Sequence, residues 1–173
     1  KMLWNLRNEI YECMKINGIT QVFSSNNPRG IQTTEMLFKG RTQGFKFIEH
    51  YGLNNIKQPE WKNLSQNEVC TTELYKAWHT MPTSVKFKNG ESLHEVEVRT
   101  GEVLSAIDSH GAIIISHTTP LQVIVCNLLK LDINKIWSFK FDHYRLTLLL
   151  ENVLLRYNST SVIDINYNEI RTV

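Results

Sequence analysis

An α/β fold built on a mostly parallel sheet is what this 173-residue sequence predicts, and three observations predict it. Short β-branched or apolar runs alternate with stretches of helical period along most of the chain. Two of those runs, Gln21–Ser25 and Ala112–Ile115, each pass through a tight switch into a helix that opens near a proline, at Pro28 and at Pro120. Ala112-Ile-Ile-Ile115 has no polar alternation, the pattern of a strand buried on both faces of a parallel sheet.

The elements follow in order. Leu3, Leu6, Ile10, Cys13 and Met14 repeat at helical spacing, and Asn17-Gly18 supplies a stop. Gln21–Ser25 reads as a strand, Asn26 and Asn27 as switch and cap, and Pro28 as the first residue of a helix continuing to Phe38. Phe45, Phe47 and Ile48 suggest a short extended segment. Leu53 to Trp61, broken by Pro59, reads as an excursion of the kind that shapes substrate sites. A helix is expected over Thr71–His79, stopped by Met81-Pro82. Ser92 and Glu95 form a capping-box pair ahead of Leu93, Val96, Val103, Leu104 and Ile107, which face a core. Capping accounts for Ser92, although Glu91 or Ser92 could also reach a ligand. After the strand Ala112–Ile115, Thr118 or Thr119 can cap the helix that carries Leu121, Ile124, Val125, Leu128 and Leu129. Ile136–Phe141, Arg145–Leu150, Val153–Tyr157 and Val162–Tyr167 read as antiparallel strands finishing the sheet, with turns at Glu151-Asn152 and Asn158-Ser159.

Composition narrows the function classes. A single domain over residues 1–173 is expected, large enough for a core without staples. Hydrophobic content of 42% with 21% charged residues fits a folded globular chain rather than a disordered one. A net charge of +2 without a Lys/Arg block predicts no nucleic-acid partner. No run reaches membrane-spanning length, so no membrane partner is expected. Cys13, Cys70 and Cys126 are odd in number and far apart, which suggests neither a disulfide framework nor a metal site and places the protein in a reducing cytoplasm.

The two strand-to-helix corners carry the chemistry. Each holds a cation-capable side chain near the carboxyl end of its strand, Arg29 in one and His117 in the other. Backbone N–H groups at a helix start favour anions. If the strands are neighbours, the corners form one oxyanion site: Arg29 offers a planar fork of donors, and His117 can donate or accept a proton. The plain structural alternatives are a solvated Arg29 and a His117 that caps or packs. His143 is expected to be structural.

These elements resemble the histidine phosphatases of the phosphoglycerate mutase-like superfamily over nearly the whole chain. Val22-Phe-Ser-Ser-Asn-Asn-Pro-Arg-Gly-Ile-Gln-Thr33 is similar to that family's Ser-Ser-Pro-x-x-Arg-Ala-x-Gln-Thr element and puts its phosphate-binding arginine on Arg29. Leu74–Trp78, then Phe87-Lys-Asn-Gly-Glu-Ser-Leu93 and Arg99, are similar to its Phe-x-Gly-Gly-Glu-Ser segment and following helix. Ile114-Ile-Ser-His-Thr-Thr-Pro-Leu121 resembles its Ser-His-Gly-Gly element and puts the second active-site histidine on His117. The resemblance implies a three-layer α/β/α sandwich, a small phosphorylated metabolite or phosphoprotein as substrate, phosphoryl binding by Arg29 and His117, and no cofactor or metal.

The departures bear on mechanism. The family's nucleophile is the histidine of an Arg-His-Gly motif, which this sequence does not contain; that motif and its central first strand are expected upstream of Lys1. Leu53-Asn-Asn-Ile56 resembles the family's Leu-x-Glu-Ile segment, so Asn55 stands where a carboxylic acid would donate a proton, with Glu60 as a misaligned substitute. Thr118 and Thr119 replace glycines beside the expected phosphate. The leading expectation is therefore a phosphomonoesterase acting through a phosphohistidine. A degenerate, non-catalytic relative that binds a phosphorylated ligand or protein partner is the alternative, and an α/β domain sharing only the corner architecture ranks last.

Overall fold

The computed structural model of the protein describes residues 2–143, 145–150 and 153–161. Helix α1 (Met2–Asn17) leads through Gly18, at φ +68°, into strand β1 (Gln21–Ser24). Helix α2 (Pro28–Phe38) follows directly, with Pro28 in its first turn where no backbone donor is required. Strand β2 (Lys46–Glu49) and strand β3 (Ala112–Ile115) flank β1 in the order β2-β1-β3, and both pair with it in parallel.

The side-chain alternation of a strand explains the layering. Val22, Ile113 and Ile115 pack with Leu6, Ile10, Met14, Leu37 and Phe38 of α1 and α2. Phe23, Ala112 and Ile114 point the other way, onto Val103 of helix α5 (Leu93–Ser105) and Ile124 of helix α6 (Thr118–Leu128). A parallel sheet with helices on both faces results, as the sequence predicts. Burying a side chain such as Phe23 or Val22 contributes roughly 1.5–3 kcal/mol. A third cluster joins Trp78, Phe87, Leu93, Val96, Val123, Cys126, Ile133 and Ile136. Among the described residues no helix is long and apolar enough to cross a membrane.

Several expectations change. Strand β1 ends at Ser24, one residue early. Ala112, Ile113 and Ile114 are only half-buried, because among the described residues β3 pairs on one edge alone. Ile133–Ser138 is a 3₁₀ turn rather than part of a strand: Ile133, Ile136 and Phe139 recur at every third position, all in the core, which suits three residues per turn. Strands β4 (Leu146–Leu150) and β5 (Val153–Ser159) pair antiparallel with each other as a separate sheet and do not extend the first. The expected strand Val162–Tyr167 and the turn Glu151-Asn152 lie outside the described residues.

Helix α3 (Gln66–Cys70) was not legible from periodicity, since it buries no residue and rests on the reciprocal cap between Ser65 and Glu68. Helix α4 (Glu73–Thr80) starts later than expected because Thr72 is its cap, accepting from the Tyr75 N–H. The Ser92 and Glu95 capping box on α5 is present. Lys86 and the Ser92 donors together hold the Glu95 carboxyl down at about 2. Thr118 and Thr119 lie inside α6, and His117 occupies the cap position. Pro120 fits there because the first-turn positions need no intrahelical donor.

One buried ion pair ties the 50–62 excursion to α5. Arg99 is buried and donates through Nε and Nη2 to the Glu91 carboxylate at 2.9 and 3.2 Å, and through Nη1 to the Gly52 carbonyl at 2.6 Å. The carboxylate oxygen that receives Nη2, Oε2, also accepts the Lys57 N–H at 2.9 Å. Gly52 has no room for a side chain: a Cβ would lie 2.4 Å from the Arg99 carbonyl oxygen. Removing one partner of a buried pair leaves the other charge uncompensated. Glu91→Ala should therefore lower the unfolding free energy in urea by about 3–5 kcal/mol, whereas Arg99→Met combined with Glu91→Met should recover part of that loss. Equal stability of Glu91→Ala and the original protein would contradict this account.

Candidate active site

The parallel register sets Ser24 opposite Ile115, and the ladder continues one step as the Ser25 N–H donates to the Ile115 carbonyl at 2.9 Å. Ser25 and His117 thus leave the carboxyl edge of adjacent strands side by side. That edge is where α/β sheets bind ligands.

Ser25 links the two corners. Its hydroxyl donates to Asn54 Oδ1 at 2.7 Å and accepts the Asn27 N–H at 3.1 Å, and it lies 3.0 Å from His117 Nε2. With Asn54 oriented so that its carbonyl oxygen faces Ser25, the single hydroxyl hydrogen is already committed. His117 therefore donates Nε2–H to Ser25, and in the neutral ring Nδ1 keeps its lone pair. The imidazole is not used as a cap: His117 sits at the N-cap of α6 without a side-chain capping bond. Ser116 is fixed in its turn by donating to the Leu53 carbonyl at 2.7 Å.

Electrostatics favours the neutral ring. Burial pushes the His117 pKa below the ordinary histidine value, and the positive charges of Arg29 and Arg99 push it the same way. The arginines of both the α2 corner and the buried pair thus act on one imidazole. A bound oxyanion would reverse that balance, since a negative charge stabilises the imidazolium.

An open cavity of about 640 Å³ adjoins this corner, lined by Arg29, Asn89 and every residue of the stretch 55–62 except Glu60. That volume is in the range of small-molecule sites. Arg29 and Asn55 share this cavity. His117 and Thr118 do not line it; Thr118 is exposed on the first turn of α6, and His117 reaches the same corner through Ser25 and Asn54. Glu60 accepts the Lys88 N–H and is not among the residues that line the cavity. Glu91 is likewise committed to Arg99 and Lys57. His50 accepts the Gly52 N–H, His79 stacks on Trp137, His94 lies against Glu97 and His110 against Asp108.

Ser25 and Asn54 carry no local signal of this role. Ser25 reads as the last residue of a strand, and its partners lie 29 and 92 positions away. The usable signal was register: two parallel strands ending at the same level place their next residues in contact.

The parallel α/β sandwich thus sets an arginine and a histidine at adjoining strand ends. The chain matches the model of the histidine phosphatase superfamily (branch 1) over residues 8–152, and it belongs to that family. Phosphoserine phosphatase 1 of Hydrogenobacter thermophilus is 30% identical over 128 residues, 68% of this chain and 61% of that relative, so the chain spans about three-fifths of its length. The crystal structure of the α-ribazole phosphatase from Shigella flexneri shares the fold with a TM-score of 0.74 at 17% identity, over 95% of this chain and 84% of that one. The mycobacterial glucosyl-3-phosphoglycerate phosphatase, solved with inorganic phosphate, gives 0.71 at 14% identity, over 91% and 84%.

NMR titration of the His117 ring should give a midpoint below the ordinary value of about 6.5, rising on addition of vanadate and rising in Arg29→Ala. Because the folded pKa lies below the unfolded one, the unfolded chain takes up the proton first as pH falls below about 6.5. Stability at this group is thus lost on acidification and unaffected above that pH. A midpoint at or above the ordinary value in the free protein would refute the assignment of a neutral ring.

Proposed function

We propose that the chain is the phosphate-binding part of a phosphomonoesterase that acts on a small phosphorylated metabolite or phosphoprotein. Arg29 and His117 hold the phosphoryl oxygens, and Thr118 at the start of α6 lies beside them. Family membership supports this reading, and the single observation that carries it is the pairing of the two corners through Ser25, with the charge of Arg29 acting on His117.

In the proposed reaction a neutral imidazole attacks phosphorus, the ester P–O bond breaks, and the alkoxide leaves with a proton. Water then cleaves the phosphohistidine and regenerates the imidazole. The nucleophile is a histidine outside the 173 residues. In support, four of the five histidines other than His117, namely His50, His79, His94 and His110, are each engaged elsewhere. Arg29 and protonated His117 neutralise charge on the equatorial oxygens.

Asn55 favours a second reading, a non-catalytic relative that binds a phosphorylated ligand or partner. An amide cannot donate the proton that an alkoxide needs, and Glu60 accepts the Lys88 N–H without lining the cavity. The two readings differ in turnover and agree on binding.

Phosphate release from p-nitrophenyl phosphate by the complete protein separates them. On the enzymatic reading Arg29→Ala and His117→Ala each lower kcat/KM by roughly 10²–10³-fold at unchanged folding, the scale of losing one preorganised donor. Equal rates in all three proteins would remove the site. Nitrophenolate leaves without protonation, so alkyl phosphates should be much slower substrates, and Asn55→Glu should narrow that gap. Calorimetric binding of vanadate without turnover would support the non-catalytic reading instead.

A further inference from the structure

A serine hydroxyl has one hydrogen and two lone pairs, and at Ser25 three partners claim all of them. The Asn27 N–H takes one lone pair at 3.1 Å, Asn54 Oδ1 takes the hydrogen at 2.7 Å, and His117 Nε2 stands 3.0 Å from what remains. Ser25 is fully buried, so bulk water offers no substitute for any of the three.

Both ends of this chain of hydrogen bonds are fixed. Gly30 of α2 sits so close behind the serine that a Cβ there would lie 2.5 Å from the Ser25 carbonyl oxygen and 2.9 Å from its Cβ. Asn54 closes the 3₁₀ turn Tyr51–Leu53 by donating its N–H to the Tyr51 carbonyl at 2.9 Å, and Ser116 holds the adjoining Leu53 carbonyl at 2.7 Å. The other ring nitrogen, His117 Nδ1, has no protein partner among the described residues. The charges acting on the ring are Arg29 of α2 and Arg99 of α5, both positive. An amide at position 54 therefore takes the serine hydrogen without adding the negative charge that would hold a second proton on the imidazole.

We propose that Asn54 is a positioning residue which, through Ser25, keeps His117 Nδ1 as a proton acceptor in the free protein, so that an oxyanion binds together with one proton taken from solvent onto that nitrogen. Nδ1–H then donates to the anion while Nε2–H stays on Ser25. This rests on His117 holding the oxyanion, and it adds how that grip is tied to pH and which residue sets the tie. A serine free to donate to Nε2 would instead place the ring's one hydrogen on Nδ1, and the anion would be bound without proton uptake.

Sulfate is the probe, because it stays a dianion across the neutral range and every proton taken up then enters the protein. Its affinity, measured by calorimetry, should fall about tenfold per pH unit above the midpoint of the free ring, the slope of one linked proton. Ring ¹⁵N shifts of the free protein above that midpoint should show the hydrogen on Nε2, a measurement that needs no variant. Asn54→Leu keeps the side-chain size and removes the acceptor, so the ring hydrogen should move to Nδ1 and the pH dependence should weaken to about threefold per unit or less. Asn54→Asp keeps the acceptor, and should leave the hydrogen on Nε2 while raising the ring's midpoint. A free protein with its hydrogen on Nδ1, sulfate affinity that is flat with pH, or an Asn54→Leu protein as steep as the original overturns the role of Asn54 while leaving oxyanion binding intact. Failure of the unaltered protein to bind either sulfate or vanadate overturns the oxyanion site and the proton coupling together.

Discussion

The buried guanidinium of Arg99 is the constraint on which the working end of the molecule depends. It adds a polar tie to the apolar packing of Leu53 with Val103 and of Ile56 with Leu93 and Val96: Arg99 grips Glu91 and the Gly52 carbonyl, and Glu91 passes the hold on to Lys57. These contacts offset the conformational entropy of a stretch that contains only isolated 3₁₀ turns. Tyr51, on the same stretch, donates to Glu102 of α5 at 2.8 Å. The charge buried to hold the loop also acts on the imidazole of His117. Structure and electrostatics at this corner thus share one residue.

Much of the architecture was legible because its signals are local. Pro28 shortly after Gln21–Ser25 and Pro120 shortly after the β-branched run Ala112–Ile115 mark the switch from strand to helix, and the alternation of Val22 and Phe23 fixes which layer each meets. The positions of Arg29 and His117 follow from those switches. What stayed hidden depends on register or on isolated polar contacts. Helix α3 shows no apolar stripe because it buries no residue fully, and the alternation over Ile136–Phe141 that suggests a strand gives way to a 3₁₀ turn because Ile133, Ile136 and Phe139 enter the core at a period of three. Ser25 and Asn54 look like unremarkable polar residues until the parallel pairing of β1 and β3 brings the serine against the histidine.

On the proposed reading the corner is better equipped to grip an oxyanion than to release an alkoxide. A half-buried histidine whose pKa is lowered, an exposed arginine on a helix start, and a serine that fixes the ring's hydrogen are all suited to binding. Asn55 can orient an oxygen by hydrogen bonding but cannot give up a proton at ordinary pH. Chemistry at such a corner depends on how good a leaving group the substrate brings.

Arg29 and His117 come from opposite sides of the sheet. The helix carrying Arg29 is seated on α1, and the helix headed by His117 is seated on α5, so the two halves of the grip are anchored in different hydrophobic layers with only β1 and β3 between them. Their alignment is therefore a property of how thick and how flat that sandwich is. Wear in either layer, far from any ligand, would open or skew the jaws, and oxyanion affinity becomes a gauge of the interior's fit.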